Sequence, residues 1–374
     1  MEYPAAKRPR MLLSFFSIAV GLLIIAAALN DVFQSVIVPR AVGRRYRLSA
    51  HLLRRTWYLW PKLAWRLFPR DGSRREDFLA AFAPTTLVTL IAMWGVLLAL
   101  GFGGVLFGLR DEFSPRINAY GTAVYFASTS LLTIGYGDIV PRGGWARFLS
   151  MCAGASGLGV LSITTAFLFA TFGAFQQREA FVVLVGSRAG SPPSGVGFLT
   201  ISAYADLGGD IEHLMRDAQS WASIVMETHL AYPMLAYFRS SHEHESWIGT
   251  LGTLLDAATL MMTTIEMPCG QARMFYSIGR HCARDLAHLF GVDSVIDHAG
   301  GVHRDEFERA CDRLSAAGLT LKNRDEAWQH FATLRSTYAG HVNGLARLFD
   351  IPPLEWVGDR SLIASPHVVK DAVH

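Results

Sequence analysis

The amino-acid sequence predicts an all-α membrane protein that continues into a helical, water-exposed region, and three observations carry that expectation. Hydrophobic residues make up 51% of the 374 positions and charged ones only 17%, with a mean hydropathy of +0.27. Apolar segments at Met11 to Leu29, Pro84 to Leu109 and Phe148 to Phe175 each reach or approach the roughly 20 residues that a helix needs to cross a bilayer. From about Ala203 onward charges return and apolar residues recur at helical spacing, as in a soluble helical domain.

Lys7, Arg8 and Arg10 ahead of the first apolar segment are what a signal peptide would carry, but no small-residue cleavage site follows. Instead Asn30, Asp31, Val32 and Phe33 lead into a second apolar stretch ending at Val38, so residues 1–40 are read as a retained transmembrane helix. Residues 41–81 are basic. With Arg40 at their edge they hold Arg44, Arg45, Arg47, Arg54, Arg55, Lys62, Arg66, Arg70, Arg74 and Arg75. Between Ser49 and Phe68 these charges interleave with Trp57, Tyr58, Trp60, Trp65 and Phe68, the arrangement of an amphipathic helix at a membrane surface. A voltage-sensing helix would need arginines at every third position through an apolar span; only Arg44 and Arg47 have that spacing. The net charge of +3 arises largely in this segment, which points to anionic lipid rather than nucleic acid as its partner.

Between the second and third apolar segments lies the most specific motif. Asn118 to Leu132 is an apolar stretch about as long as a short re-entrant helix, tolerated at membrane depth only where protein buries it. It ends in Ser128, Thr129 and Ser130 and runs into Thr133-Ile134-Gly135-Tyr136-Gly137-Asp138. Glycine at 135 and 137 lets the backbone alternate between conformations that an L-residue accepts and ones that it resists, so that successive carbonyls point one way. In the order helix, short helix, loop, helix, this hexapeptide resembles the selectivity filter of the bacterial two-helix-pore potassium channels. The resemblance covers residues 82–177. It continues through Pro141, Trp145 and Arg147 to Gly157, at the place of that family's inner-helix hinge glycine.

What the resemblance implies is specific. The permeant ion would be K+, held by Thr133, Ile134, Gly135, Tyr136 and Gly137 through backbone carbonyls, with the Thr133 hydroxyl below and the Tyr136 side chain pointing away from the pore. Asp138, Tyr125 and Thr129 would support the filter. Many relatives carry two tryptophans where this chain has Tyr125 and Phe126, so the hydrogen bond to the filter aspartate falls to the Tyr125 hydroxyl; threonine at 129 stands where some members keep a carboxylate. Gly157 is either a gating hinge, because glycine frees a helix to bend, or one of a group of small residues, with Ala153, Gly154, Ala155, Ser156 and Gly159, that lets helices pack closely. Val140 takes the outer-mouth position. One filter per chain implies a homotetramer and argues against the related transporters, which carry four such loops in one chain. A filter facing outward places residues 40–80 in the cytoplasm, where their eleven basic residues satisfy the positive-inside tendency against three at the amino terminus. The implied location is the bacterial inner membrane, multi-pass, with a cytoplasmic carboxy-terminal domain.

Residues 178–202 open with the valine-rich run Ala180 to Val185 and pass into a Gly, Pro and Ser-rich linker, Gly186 to Gly197. Val182 to Gly190 imitates the phosphate loop of the nucleotide-binding domain that many relatives carry here. It lacks the G-x-G-x-x-G spacing, and Pro192 and Pro193 would break the helix that should follow. In residues 203–374 helices are expected at 208–240, 245–266, 270–290, 303–316 and 322–349, forming a domain that gates or assembles the pore. His242, Glu243, His244 and Glu245 read as a solvated turn, and His281, Asp285 and His288 as the polar face of a helix, so no metal beyond K+ is expected. Cys152, Cys269, Cys282 and Cys311 have no C-x-x-C spacing and are expected to stay reduced. The other class of reading is a membrane-tethered receptor or enzyme with a secondary pore. The sequence offers it no nucleophile with a base, no phosphate loop and no complete metal set, so the protein is not expected to be an enzyme.

Overall fold

The structure, a computed structural model, describes residues 7–38, 48–189, 193–205, 208–240, 245–292 and 301–351. Outside them lie Arg40, Arg44, Arg45 and Arg47 of the basic segment, His242, Glu243 and His244 of the first candidate ligand cluster, and Gly190 to Pro192 of the expected linker. The protein is an all-α membrane protein. Among the described residues Met11–Ile37, Gly72–Gly108 and Gly144–Ala189 are long and apolar enough to cross a bilayer. The chain divides into two compact units, Met1–Phe172 and Gly173–His374.

In the first unit, α1 (Lys7–Val32), continued by a π-helical turn at Phe33–Ile37, lies along α4 (Phe82–Gly108). Glycines set their separation: a Cβ on Gly21 would fall 2.5 Å from the Gly101 carbonyl oxygen, and one on Gly104 3.1 Å from that of Ser17. The Ser17 hydroxyl donates to the Gly104 carbonyl at 2.7 Å. Lipid offers no hydrophobic drive for helices to associate, so close contact of this kind is what holds them. Below this pair, Asp31 is buried at 1% exposure. Its carboxylate accepts from Trp94 Nε1 (2.8 Å) and from the backbone N–H and hydroxyl of Ser49 (3.2 Å), tying α1 to α4 and to α2 (Leu48–Leu67).

The aromatic residues of α2 divide between protein and surroundings. Trp57 and Trp60 meet Phe82 edge-on, and Trp60 Nε1 donates to the Phe78 carbonyl on α3 (Gly72–Ala80). Tyr58 and Trp65 stay exposed, with Lys62 and Arg75 over their rings. α5 (Tyr120–Leu131) packs on α4 at Gly103, where a Cβ would meet Val124. A feature absent from the expected all-helical pattern is a short antiparallel ribbon, β1 (Phe113–Ser114) with β2 (Val140–Pro141), placing Phe113 opposite Pro141 and Ser114 opposite Val140. The core joins Ile25, Leu98, Phe102, Phe113, Phe126, Leu131 and Ala153, from α1, α4, β1, α5 and α6 (Gly144–Ala189).

α6 corrects the expected boundary after residue 177. Its 46 residues extend about 69 Å at 1.5 Å per residue, more than twice the hydrocarbon thickness of a bilayer. The run Ala180 to Val185 is helix, because Arg178, Val182, Val185 and Ala189 are all buried at the i, i+4, i+7, i+11 spacing of one helical face. The linker expected over 186–197 therefore shrinks to the stretch between Ala189 and Ser194. Ser194 already caps α7 (Gly195–Tyr204), its hydroxyl accepting the Gly197 N–H at 3.0 Å.

The rest of the second unit surrounds α9 (Trp247–Thr263), a helix buried almost throughout. α8 (Gly208–Ala231) stops short of the expected residue 240 because Pro233 cannot continue an α-helix; a 3-10 turn, Pro233–Tyr237, follows. α10 (Gly270–Phe290) ends on left-handed Gly291 and packs on α8 and α9. α11 (Arg304–Ala316) follows. The single helix expected over 322–349 is two, α12 (Arg324–Ser336) and α13 (Ala339–Leu348). The break lets Arg335 and Tyr338 both reach Asp256 in the middle of α9, at 2.9 Å and 2.6 Å, and a buried carboxylate needs such partners. Of the second candidate ligand set, His281 pairs with Asp285 at 3.2 Å on the exposed side of α10.

Candidate functional site

The Thr133 to Asp138 loop starts where α5 stops. The last carbonyls of a helix have no partner within it, and here the loop's own amides supply them. Leu132 N–H donates to Ser128 (2.9 Å), Thr133 N–H to Ser130 (3.1 Å), and the N–H groups of Ile134 and Gly135 both to Thr129 (2.8 and 3.4 Å). The amides of Leu132, Thr133, Ile134 and Gly135 are thus turned back into α5. Residues 133–138 are all exposed in the single chain.

Backbone conformation explains how consecutive carbonyls are arranged. Thr133, Gly135 and Gly137 have φ of +56°, +57° and +79°, and the residues between them do not. Left-handed backbone at every second position is the alternation that the glycine spacing predicts. Glycine adopts it freely, whereas a β-branched residue with positive φ is a strained exception. Thr133 is thus a member of the alternation that the glycine pattern alone does not reveal.

The candidate supporting residues act in different ways. Thr129 is buried and meets the loop through its backbone carbonyl, while its hydroxyl bonds back to Phe126 at 2.9 Å. The hydroxyls of Ser128 and Ser130 likewise return to α5 carbonyls. Tyr125 lies within electrostatic reach of Asp138, and Tyr136 is 69% exposed. An open recess of about 500 Å³ lies beside the loop, lined by residues that include Thr129, Thr133, Gly135, Ser150 and Met151. Gly157 sits against the same helix end: a Cβ there would fall 2.0 Å from the Leu131 carbonyl oxygen, while one on Gly159 would meet nothing within 4 Å. This contact favours the packing alternative for Gly157, and α6 continues through it as helix.

Glu112 is a site residue that the sequence does not betray. Its backbone carbonyl accepts from Arg142 (2.8 Å) and Gly143 (3.3 Å), and its carboxylate accepts the Ala146 N–H at 3.0 Å. An anion at the first turn of a helix is favoured by the free N–H groups and the helix dipole, so Glu112 anchors the start of α6 and, with the β1–β2 ribbon, fixes the strand leaving the loop. Its partners lie some thirty residues downstream, beyond the reach of any local capping pattern.

A family model described as an ion channel matches residues 85–173. The voltage-gated potassium channel Kch of Escherichia coli (strain K12) is 33% identical over 95 residues, which are 25% of this chain and 22% of that protein. An uncharacterized membrane protein, YdjJ of Bacillus subtilis (strain 168), is 24% identical over 200 residues, 52% of this chain and 58% of that protein. The chain thus spans less than two thirds of either relative. No solved structure gives a significant match. The matched residues contain the loop, α5, the part of α6 up to residue 173 and the Glu112 anchor, so the resemblance to an ion-channel domain falls within the membrane-spanning part of the chain.

Proposed function

We propose that the protein is a potassium-selective channel of the bacterial inner membrane, conducting K+ through a pore built by four copies of the chain. The observation that carries this reading is the alternation at Thr133, Gly135 and Gly137, combined with amides committed to α5. A dehydrated K+ ion needs oxygen ligands in place of its hydration shell, and stacked rings of backbone carbonyls supply them. A single loop cannot surround an ion, so symmetric assembly follows from the chemistry. In this reading Thr133, Ile134, Gly135, Tyr136 and Gly137 hold the ion, and Tyr125, Thr129 and Asp138 keep the loop in place. The α5 C-terminus, whose dipole favours cations, runs directly into the ion path.

With the loop facing outward, α2, α3 and the second unit lie in the cytoplasm. Arg54, Arg55, Lys62, Arg66, Arg70, Arg74 and Arg75 then meet anionic headgroups. The second unit gates or assembles the pore. Purified protein in liposomes tests the proposal through K+ against Na+ flux. Wild type is expected to pass K+ selectively, and Gly137→Ala to lose either flux or selectivity, because a Cβ at a left-handed position disrupts the carbonyl alignment. Unchanged reversal potentials in Gly137→Ala would count against the filter assignment.

A further inference from the structure

Arg178, on the face of α6 that enters the second unit, is 1% exposed and its guanidinium is fully committed. Nε donates to Glu179 Oε1 (3.0 Å), which also lies in an ion pair with Nη2 (2.9 Å); Nη2 donates to the Phe238 carbonyl (2.7 Å), and Nη1 to the Leu235 carbonyl (3.0 Å) and to His229 Nε2 (3.3 Å). Each of the three guanidinium nitrogens thus has at least one partner. The backbone carbonyl of Arg178 accepts from Trp221 Nε1 at 3.2 Å. One residue of the helix thereby holds α8, the turn after it and the chain leading to α9.

His229, with no exposed surface, is the one partner whose hydrogen-bonding sense can reverse. Its Nδ1 lies 2.7 Å from the Val225 carbonyl, which can only accept, so Nδ1 carries the proton. Arginine can only donate, so Nε2 must be the acceptor and the ring must be neutral. A proton added to Nε2 would remove that acceptor and set a second cation 3.3 Å from Arg178 Nη1. The charged group in contact with the ring is Arg178, which is paired with Glu179 on α6; Glu227 shares α8 with His229, and Glu245 lies against Gly186 on α6. The Val225 and Leu235 carbonyls and the Trp247 ring, 4.6 Å away, do not titrate.

We infer that Arg178 and His229 form a proton-releasable clasp, in which protonation of His229 loosens the hold of the rest of the second unit on its first segment, residues 173–189. The inference stands on the packing of the second unit, and its consequence for ion flow rests on the channel reading above. Burial and the Arg178 charge hold the His229 imidazole well below its ordinary pKa. The sign follows. The released state binds the proton more readily, so release is suppressed at neutral pH and becomes more favourable by up to about tenfold for each pH unit below roughly 6.

Hydrogen exchange on the full chain, as amide protection factors for residues 173–189 between pH 7 and pH 5, tests the clasp without recourse to flux. Wild type should lose protection in this segment by up to about tenfold per unit, while α11 and α12 change little. His229→Gln, which can accept from Arg178 but cannot titrate, should abolish the local pH dependence. The wild-type profile needs no variant: a segment equally protected at pH 7 and pH 5 overturns the clasp, as does an unaltered pH dependence in His229→Gln. In liposomes, pH-dependent K+ flux that disappears in His229→Gln extends the clasp to the pore. If exchange behaves as expected in a protein that passes no K+, the clasp stands and the channel reading is what fails.

Discussion

At Thr133 the sequence shows a side chain suited to ligating an ion but conceals the backbone beneath it. The glycines at 135 and 137 announce positive φ, since no other residue is so readily accommodated there; threonine announces the opposite. Its left-handed conformation is legible only once its amide is seen bonded to Ser130. Val140, exposed and paired with Ser114 across the ribbon, gives a residue-scale prediction. An aromatic ring at this mouth position attracts quaternary ammonium through its face, so external tetraethylammonium should block wild type weakly and Val140→Tyr at least severalfold more tightly. Strong wild-type block would refute the outer-mouth alignment. Asp31 gives another. Replacing it with alanine leaves Trp94 and Ser49 without their buried acceptor, at a cost of about 2 to 4 kcal/mol. Thermal unfolding of detergent-solubilised protein should show the loss in Asp31→Ala and a smaller one in Asp31→Asn.

Elements were legible where one physical signal dominated. Hydrophobic length placed α1, α4 and the membrane part of α6, and the hydroxyl-rich run before the loop placed the end of α5. Where two signals competed, local reading chose the wrong one. Valine in Ala180 to Val185 and the Gly, Pro and Ser content beyond it suggested the end of a helix, yet the buried stripe through Arg178, Val182, Val185 and Ala189 keeps α6 intact. The break at Thr337 and Tyr338 had no composition signal; the contacts made beside it, from Arg335 and Tyr338 to Asp256, are with a carboxylate far away in the sequence. The Glu112 anchor of α6 is likewise a contact made by tertiary folding alone. Gly157 and Gly159 allow a test at this scale, since both are helical glycines two positions apart with opposite surroundings. Gly157→Ala should destabilise the α5–α6 contact by about 1 to 3 kcal/mol through overpacking. Gly159→Ala should be neutral or slightly stabilising, because alanine is the better helix former. If Gly157 serves chiefly as a hinge, the order changes: Gly157→Ala would leave thermal stability intact and alter open probability alone.

At the scale of the whole molecule, the channel reading makes coupling between pore and second unit depend on where the polypeptide is stiff. A Pro and Gly-rich connection from 176 to 197 would transmit force only over a short, semi-rigid span, and lengthening it would introduce slack. Helix through Ala189, with Arg178 buried among α8 and the following turn, moves the mechanical connection upstream of that stretch. Ending the chain after Gln177 removes Arg178 and every later contact, and should leave a K+-conducting assembly whose open probability differs from wild type. A Gly and Ser insertion within residues 190–192 should now leave gating near wild type, because the hold on α6 has already been made. The same insertion between Gly173 and Ala174 interrupts the helix ahead of Arg178 and should shift open probability toward that of the truncated chain. Planar bilayer recordings of the three proteins under one set of conditions decide the matter. Should the 190–192 insertion decouple gating while the insertion after Gly173 does not, force passes through the connection to α7 and the role assigned to α6 is wrong; should all three conduct like wild type, the second unit serves assembly or binding instead of gating.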